Sequence, residues 1–184
     1  MSSKTKDVHI YIASASIEDS ARFGFGWIKT DNKDKFITQK SCRVDKSNST
    51  EKLANVQAVA HALSMLDKNA TATIFTSSSD IANALTQPEV LSKNVKKRTK
   101  DKSLSRAWNA LDHSLAEIEE VNVILTSPED YPLLKEAEIL AVNGAEKPFK
   151  KAGKDRRNFD KHTKNMILGD YQSSLSDDYT LEPL

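Results

Sequence analysis

Three strand-like segments follow one another at the start of the chain before any helical pattern begins, and this order constrains the fold more than any other feature. Residues 8–12 read VHIYI, with Val8, Ile10 and Ile12 on one face, which is the alternation of a strand. Residues 21–29 (ARFGFGWIK) form an aromatic strand pattern with two glycines, and residues 36–44 form a third. DNKDK at 31–35 predicts a turn between the last two. The sequence therefore predicts an antiparallel meander.

The remainder of the chain alternates between helix and strand patterns. Apolar residues recur at helical spacing from Leu53 to Leu66, and the β-branched run at 70–76 predicts a fourth strand. A short helix ends before Pro88, a second contains Trp108, a fifth strand covers 121–125, and a last helix covers about 130–142. The order βββαβααβα predicts an α/β fold in which helices flank a mixed five-stranded sheet.

Composition predicts one domain at 7–143 and a C-terminal tail at 144–184. The chain has 184 residues and a net charge of +1, so total charge indicates no class of partner. Residues 147–164 hold eight Lys or Arg against two Asp, and residues 170–184 hold four acids and no Lys or Arg. Neither stretch has enough apolar residues for a core.

The location predicted for the chain is the cytosol or nucleus. Its single cysteine, Cys42, permits no internal disulfide, which suits a reducing compartment. The longest apolar runs are too short to span a bilayer, so we expect no membrane association, and the N-terminus lacks a secretory pattern.

Six segments, taken in order, resemble the type-1 ribonuclease H domain across most of residues 8–141. They are IYIASAS (10–16), GFGWI (24–28), NVQAVAHALSML (55–66), TIFTSSSDIANAL (73–85), NVKKRTKDKSLSRAWNALD (94–112) and EAEILA (136–141). The resemblance implies the same α/β fold. An unrelated α/β domain is the alternative, in which Ala13 is an ordinary core residue.

The resemblance also implies a site that has lost most of its carboxylates. The family hydrolyses phosphodiesters with two Mg²⁺ ions held by four acids, because Mg²⁺ prefers carboxylate oxygens. The matching positions here are Ala13 (Ser14 if the alignment shifts by one), Asn55, Ser77 and Glu138. Only Glu138 keeps a carboxylate. We therefore expect a pseudoenzyme, a non-catalytic binding module without a metal cofactor.

An active Mg²⁺- or Mn²⁺-dependent nuclease with relocated carboxylates is the alternative. Glu51 precedes Asn55 by one helical turn, Asp80 follows Ser77 by three residues, and Glu18 and Asp19 follow the first strand. One turn displaces a ligand by about 5.4 Å, which is too far for unchanged geometry.

Basic residues at 93–106 match the family's basic handle, which contacts the backbone of a bound duplex. Lys and Arg displace counterions from phosphates, so such a patch predicts salt-sensitive binding to RNA, DNA or hybrid. A solvated loop is the other interpretation. The predicted contacts, including a second basic arm in the tail, are Lys93, Lys96, Lys97, Arg98, Lys100, Lys102, Arg106, Lys150, Lys151, Arg156 and Arg157.

The end of the tail suggests a docking peptide for a larger protein assembly. Tyr171, Tyr179, Leu181 and Leu184 stand among acids there. A third hypothesis follows, in which a viral or mobile-element protein uses this surface to engage or inhibit a host machine. The tail also fits a self-neutralising extension.

Overall fold

One mixed sheet of five strands forms the centre of the fold. The computed structural model describes residues 7–17, 22–44, 50–97 and 100–147. The strands are β1 (Asp7–Ser16), β2 (Phe23–Asp31), β3 (Phe36–Arg43), β4 (Thr71–Thr76) and β5 (Glu120–Leu125), and their order in the sheet is β3-β2-β1-β4-β5. β1, β2 and β3 pair antiparallel, whereas β4 pairs parallel with β1 and β5. The predicted meander and mixed sheet are confirmed.

The turn between β2 and β3 is held by its own aspartates. The Asp31 carboxylate accepts the backbone N–H groups of Lys33 and Lys35, each at 2.9 Å. Asp34 adopts the left-handed conformation (φ 59°), and its carboxylate accepts the Tyr11 hydroxyl at 2.7 Å. His9 Nδ1 lies 2.8 Å from the same oxygen, so the turn is fastened to the face of β1.

Within the described residues five helices flank the sheet, one more than the sequence predicts. They are α1 (Glu51–Ser64), α2 (Ser79–Thr86), α3 (Pro88–Lys96), α4 (Lys102–Ala116) and α5 (Pro132–Glu146). The predicted order βββαβααβα is wrong at α3, because Pro88 begins a helix instead of only ending one. The first turn of a helix needs no N–H from its first residue, so proline is well suited to that position. α5 continues past 143, the predicted domain boundary.

Two glycines of β2 let α5 lie directly on the sheet. A Cβ added to Gly24 would collide with the Ala141 carbonyl and the Ala145 amide. A Cβ added to Gly26 would lie 2.6 Å from Leu140 Cβ and would also overlap the Ala137 carbonyl. α5 therefore packs backbone against backbone on β2, and it also contacts β1 and β3.

We predict that Gly26→Ala lowers the free energy of unfolding by about 3 kcal/mol, because the helix must move away from the sheet and core contacts are lost. Urea unfolding followed by tryptophan fluorescence measures this. Asn143→Ala, at an exposed position of α5, is the control, and its expected change is within about 0.5 kcal/mol. Equal effects of the two substitutions would contradict the close approach.

α1 covers β1 and β2 and also packs against α4. Its buried residues include His61, which is 2% exposed and whose Nδ1 accepts the Trp27 indole N–H at 2.9 Å. Burial, with a smaller contribution from Lys40, lowers the pKa of His61 to about 4. The imidazole is therefore neutral in the folded protein at neutral pH.

Among the residues described, no helix is long and apolar enough to cross a membrane.

This buried histidine makes stability depend on pH. The unfolded chain binds a proton at His61 near pH 6.5, whereas the folded chain binds it only near pH 4. The contribution of the neutral imidazole to the free energy of unfolding is therefore complete above pH 6.5 and is lost as the pH falls to about 4. The loss approaches about 3 kcal/mol. We predict that His61→Gln flattens the stability profile in this window, as measured by urea unfolding at several pH values. Parallel profiles for both proteins would contradict a neutral, buried imidazole.

Candidate functional site

The carboxyl ends of β1 and β4 place two of the four expected ligand positions side by side. β1 and β4 run parallel, with Ile12 opposite Thr76 as their last pair. Ala13 and Ser77 are the next residues on each strand, so they meet at this edge of the sheet. Because side chains alternate along a strand, Ser14 points to the opposite face from Ala13. The predicted placement of Ala13 therefore agrees with the register of the two strands.

Ala13 lies in a closed apolar cluster beneath α5. Its side chain is 3% exposed. It packs with Tyr11, Phe75, Leu134 and Ala137. A methyl group offers no ligand atom, and a carboxylate at this point would be buried without a counter-charge, which costs several kcal/mol. The position to which the resemblance assigns a metal ligand is therefore a core residue in this chain.

The two neutral polar positions differ in exposure. Asn55 lies in the first half of α1 and is 7% exposed. Ser77 is exposed and follows the end of β4 directly. The next residue, Ser78, is the N-cap of α2, and its hydroxyl accepts the Ile81 N–H at 3.4 Å. An amide and a hydroxyl are weak ligands for Mg²⁺ compared with the carboxylates they replace.

Glu138 is the one carboxylate among the four positions, and it is partly buried on α5. Burial raises the pKa of its carboxyl, the nearby Glu129 raises it further, and Lys135 opposes the shift. Glu129 belongs to the loop before α5, so this loop adds an acid near Glu138. The sequence of this loop, TSPEDYP at 126–132, contains this acid, but sequence alone could not show that Glu129 acts on Glu138.

Of the acids proposed for a relocated metal site, the described ones, Glu51 and Asp80, lie on α1 and α2, whereas Glu138 lies on α5. Lys52 Nζ binds the Asp80 carboxylate at 3.1 Å and so joins the first turns of α1 and α2. Glu51 is exposed, and Glu18 and Asp19 lie outside the described residues. In the described part of the chain, no group of three or more His, Cys, Asp or Glu could hold a metal ion. The donor set does not fit a two-Mg²⁺ centre.

Lys52 was not among the residues that the sequence predicted for the site. Its position one turn before Asn55 was the available signal, but a lysine in the first turn of a helix is usually a solvated charge. Its pairing with Asp80 depends on how α1 packs beside α2, which only the tertiary structure shows.

The basic handle forms the junction of two packed helices. α3 ends and α4 begins within it, and the two helices contact each other. Among the residues described, no ion pair involves its exposed cations. These cations are Lys93, Lys96, Lys97, Lys100, Lys102 and Arg106. Most of this stretch is therefore helical rather than a loop, whereas its described cations are solvated.

The remaining predicted contacts lie outside the described residues. They are Arg98, Lys150, Lys151, Arg156 and Arg157 for nucleic acid, and Tyr171, Tyr179, Leu181 and Leu184 for a protein partner. Trp108 of α4 is 2% exposed and belongs to the core.

The strand order and the helix positions match those of solved ribonuclease H domains. The chain has a ribonuclease H-like fold. Halobacterium salinarum RNase H1 aligns at 17% identity over 75% of this chain and 96% of its own, with a TM-score of 0.56. The N-terminal RNase H domain of a Mycobacterium tuberculosis protein aligns at 11% identity over 76% and 99%, with a TM-score of 0.59.

A third solved structure with this fold is LC11-RNase H1 in complex with RNA/DNA hybrid. It aligns at 16% identity over 75% of this chain and 98% of its own, with a TM-score of 0.53. No protein-family model matches the sequence, and no curated protein matches it. At these identities the ribonuclease H-like fold is what the likeness shows.

Restoring two carboxylates tests whether the assigned positions meet. We predict that Asn55→Glu with Ser77→Asp creates a weak Mn²⁺ site together with Glu138. Ten millimolar Mn²⁺ should then raise the melting temperature by about 3 °C, as expected for a dissociation constant near 1 mM. Differential scanning fluorimetry measures the shift.

Two controls accompany this variant. Adding Glu138→Gln should abolish the Mn²⁺ response, because it removes the third ligand. The unsubstituted protein should show no response. A response that survives Glu138→Gln would refute the assignment of these positions to one site.

Proposed function

We propose that this protein is a non-catalytic ribonuclease H-like module that binds a nucleic-acid duplex, with RNA/DNA hybrid as the favoured ligand. The observation that carries the proposal is Ala13, a buried methyl at the end of β1 beside Ser77. Hydrolysis by two metal ions requires anionic oxygens at this edge of the sheet. Of the four carboxylates that the resemblance calls for, the described residues supply one, that of Glu138.

The loss of carboxylates favours binding as well as disfavouring hydrolysis. Four carboxylates repel a phosphate backbone unless divalent cations neutralise them. Ala13, Asn55 and Ser77 remove three of those negative charges, and Lys52 adds a cation close by, although Asp80 pairs with it. A duplex can therefore approach this edge without Mg²⁺. We expect its affinity to be unchanged by EDTA.

The basic handle supplies the second line of support. Its exposed cations lie at the end of α3 and the start of α4. Asp101 is the one acid in residues 93–106, and its carboxylate caps α4 by accepting the Ser103 and Leu104 N–H groups. The cations therefore outnumber the acid in this stretch, as binding to a phosphate backbone requires.

A solved structure with the same fold makes RNA/DNA hybrid the first ligand to test. LC11-RNase H1, which has the same fold, was solved in complex with RNA/DNA hybrid. The basic handle of the present chain lies on α3 and α4, outside the core, and is accessible to a rigid duplex. Double-stranded RNA and DNA are the comparison ligands, since phosphate contacts alone do not distinguish them.

The alternative function is an Mg²⁺- or Mn²⁺-dependent nuclease that uses relocated acids. The observation that favours it is that Glu129 acts electrostatically on Glu138 and helps to raise the pKa of its carboxyl. It predicts metal-dependent cleavage that Glu138→Gln reduces. Docking to a protein assembly through the tail, including a host machine engaged by a viral or mobile element, instead predicts that no duplex binds.

A gel-shift series with RNA/DNA hybrid, double-stranded RNA and DNA, run with and without Mn²⁺, separates these functions. We predict a shift without cleavage, and affinity that falls steeply between about 50 and 200 mM salt. Lys93→Gln, Lys96→Gln, Lys97→Gln and Lys102→Gln together should weaken binding at least tenfold and reduce the salt slope by about one per lost phosphate contact.

The matched control changes two exposed lysines of the β2–β3 turn. Lys33→Gln with Lys35→Gln should leave the affinity within about twofold, because these lysines lie on a turn far along the chain from α3 and α4. Cleavage by the unsubstituted protein would overturn the proposal. Undiminished binding by the four-lysine variant would show that the basic handle does not contact the nucleic acid.

A further inference from the structure

The outer edge of β5 is open. β5 is the last strand of the sheet, and within the described residues it pairs with β4 on one side only. A strand in this position presents a row of backbone N–H and C=O groups to which a further strand can bind. Ile124 is 37% exposed and Leu125 is 55% exposed, and they lie on opposite faces because side chains alternate along a strand. The edge therefore offers backbone groups together with accessible aliphatic groups on both faces.

The pairing of β4 with β5 identifies the backbone groups that point outward. Directly after β5, the Thr126 N–H donates to the Thr76 carbonyl at 3.0 Å. Backbone groups of successive residues point to opposite sides of a strand. The N–H of Ile124 therefore points toward β4, and the N–H groups of Val121 and Val123 point away from it. A further strand along this edge would bind Val121 and Val123.

The opposite edge of the sheet is better protected. β3 carries Lys40 within the strand, and lysines on an edge strand discourage pairing with another chain. Lys147 Nζ also donates to the Ser41 carbonyl of β3 at 2.5 Å, and α5 packs against the same strand. In β5 the charged residue is Glu120, at the first position, and the five residues that follow it are uncharged. β5 is therefore the edge at which the described chain can accept another strand.

Acids flank both ends of this open edge. Glu119 and Glu120 lie at its start, Glu129 and Asp130 lie in the loop that follows it, and all four are exposed. Residues 107–134 contain no Lys or Arg. Among the residues described, no ion pair involves these four carboxylates. The charge at the two ends of the edge therefore favours a strand with basic ends.

The same charges disfavour a second copy of this chain and a nucleic acid as occupants. Antiparallel pairing of two β5 strands would bring Glu119 and Glu120 of one copy near Glu129 and Asp130 of the other. Like charges opposite each other across a strand pair are destabilising. A phosphate backbone would be repelled by the same carboxylates.

We infer that the outer edge of β5 binds an extended segment of a protein partner, in which an apolar centre is flanked by Lys or Arg at both ends. The segment adds a sixth strand by hydrogen bonding to Val121 and Val123, and its side chains pack beside Ile124 and Leu125. β5 has six residues and is about 20 Å long, so the apolar centre spans about six residues. The contact requires no nucleic acid and is independent of the proposed function.

The first test selects binders from a display library of random peptides, about ten residues long, on the immobilised full-length protein. Peptides that bind a variant with the four acids neutralised are removed. We expect the remaining peptides to have Lys or Arg at both ends of an alternating apolar centre. Peptides without basic ends, or the same peptides on both proteins, would overturn the inference. The variant carries Glu119→Gln, Glu120→Gln, Glu129→Gln and Asp130→Asn.

A matched control separates local charge from net charge. A selected peptide should bind the neutralised variant about tenfold more weakly, since four exposed ion pairs are lost. A control variant that loses four exposed acids elsewhere should bind it within about twofold of the unsubstituted protein. Equal losses in both variants would contradict a contact at β5. The control carries Glu51→Gln, Glu89→Gln, Glu136→Gln and Glu146→Gln.

The second test is amide hydrogen exchange of the full-length protein, measured by NMR with and without a selected peptide. The peptide should slow exchange at Val121 and Val123 at least tenfold and change Ile124 little, because the Ile124 N–H already points toward β4. Binding without this alternating protection would refute strand addition. Protection in the protein alone that increases with protein concentration would also overturn the inference, because a second copy would then occupy the edge.

Discussion

The direct contact of α5 with the centre of the sheet is the constraint on which the rest of the structure depends. Gly24 and Gly26 leave no side chain between β2 and the helix, and the small side chains of Ala137 and Ala141 complete the approach. Ala13 lies beneath the same helix, and its methyl group fills the gap that remains. A larger side chain at any of these positions would push the helix away from β1 and β2.

This packing connects the fold to the proposal that the protein does not hydrolyse nucleic acid. A carboxylate at position 13 would have to occupy space that the apolar cluster now fills, so the loss of the ligand is built into the core rather than confined to the surface. Asn55 and Ser77 contribute only neutral oxygen atoms at the edge of the sheet. Glu138 contributes a carboxyl group whose pKa is raised by burial. The proposed binding function therefore depends on the exposed charges of α3 and α4.

Much of this arrangement could be predicted from the sequence, because period-two and helical patterns reflect burial directly. The five strands follow from those patterns. The assignment of Ala13 and Ser77 to one site came from the resemblance to ribonuclease H, and their adjacency comes from the parallel pairing of β1 with β4 in the structure. α3 was missed because its aliphatic residues are few and none is buried, so its pattern is weak, and because Pro88 was interpreted only as a stop. The Lys52–Asp80 contact and the electrostatic effect of Glu129 on Glu138 join separate elements, and local patterns carry no information about them.

The central claim is that the edge of the sheet at β1 and β4 does not hold divalent metal, and paramagnetic broadening by Mn²⁺ tests it most directly. In a titration of labelled, unsubstituted protein, both free and bound to RNA/DNA hybrid, the amide signals of Ala13, Ser77 and Glu138 should broaden no more than those of exposed residues elsewhere. Selective loss of these signals at low Mn²⁺ concentration would contradict the account, since it would place a metal ion at the site that this chain is inferred to have lost.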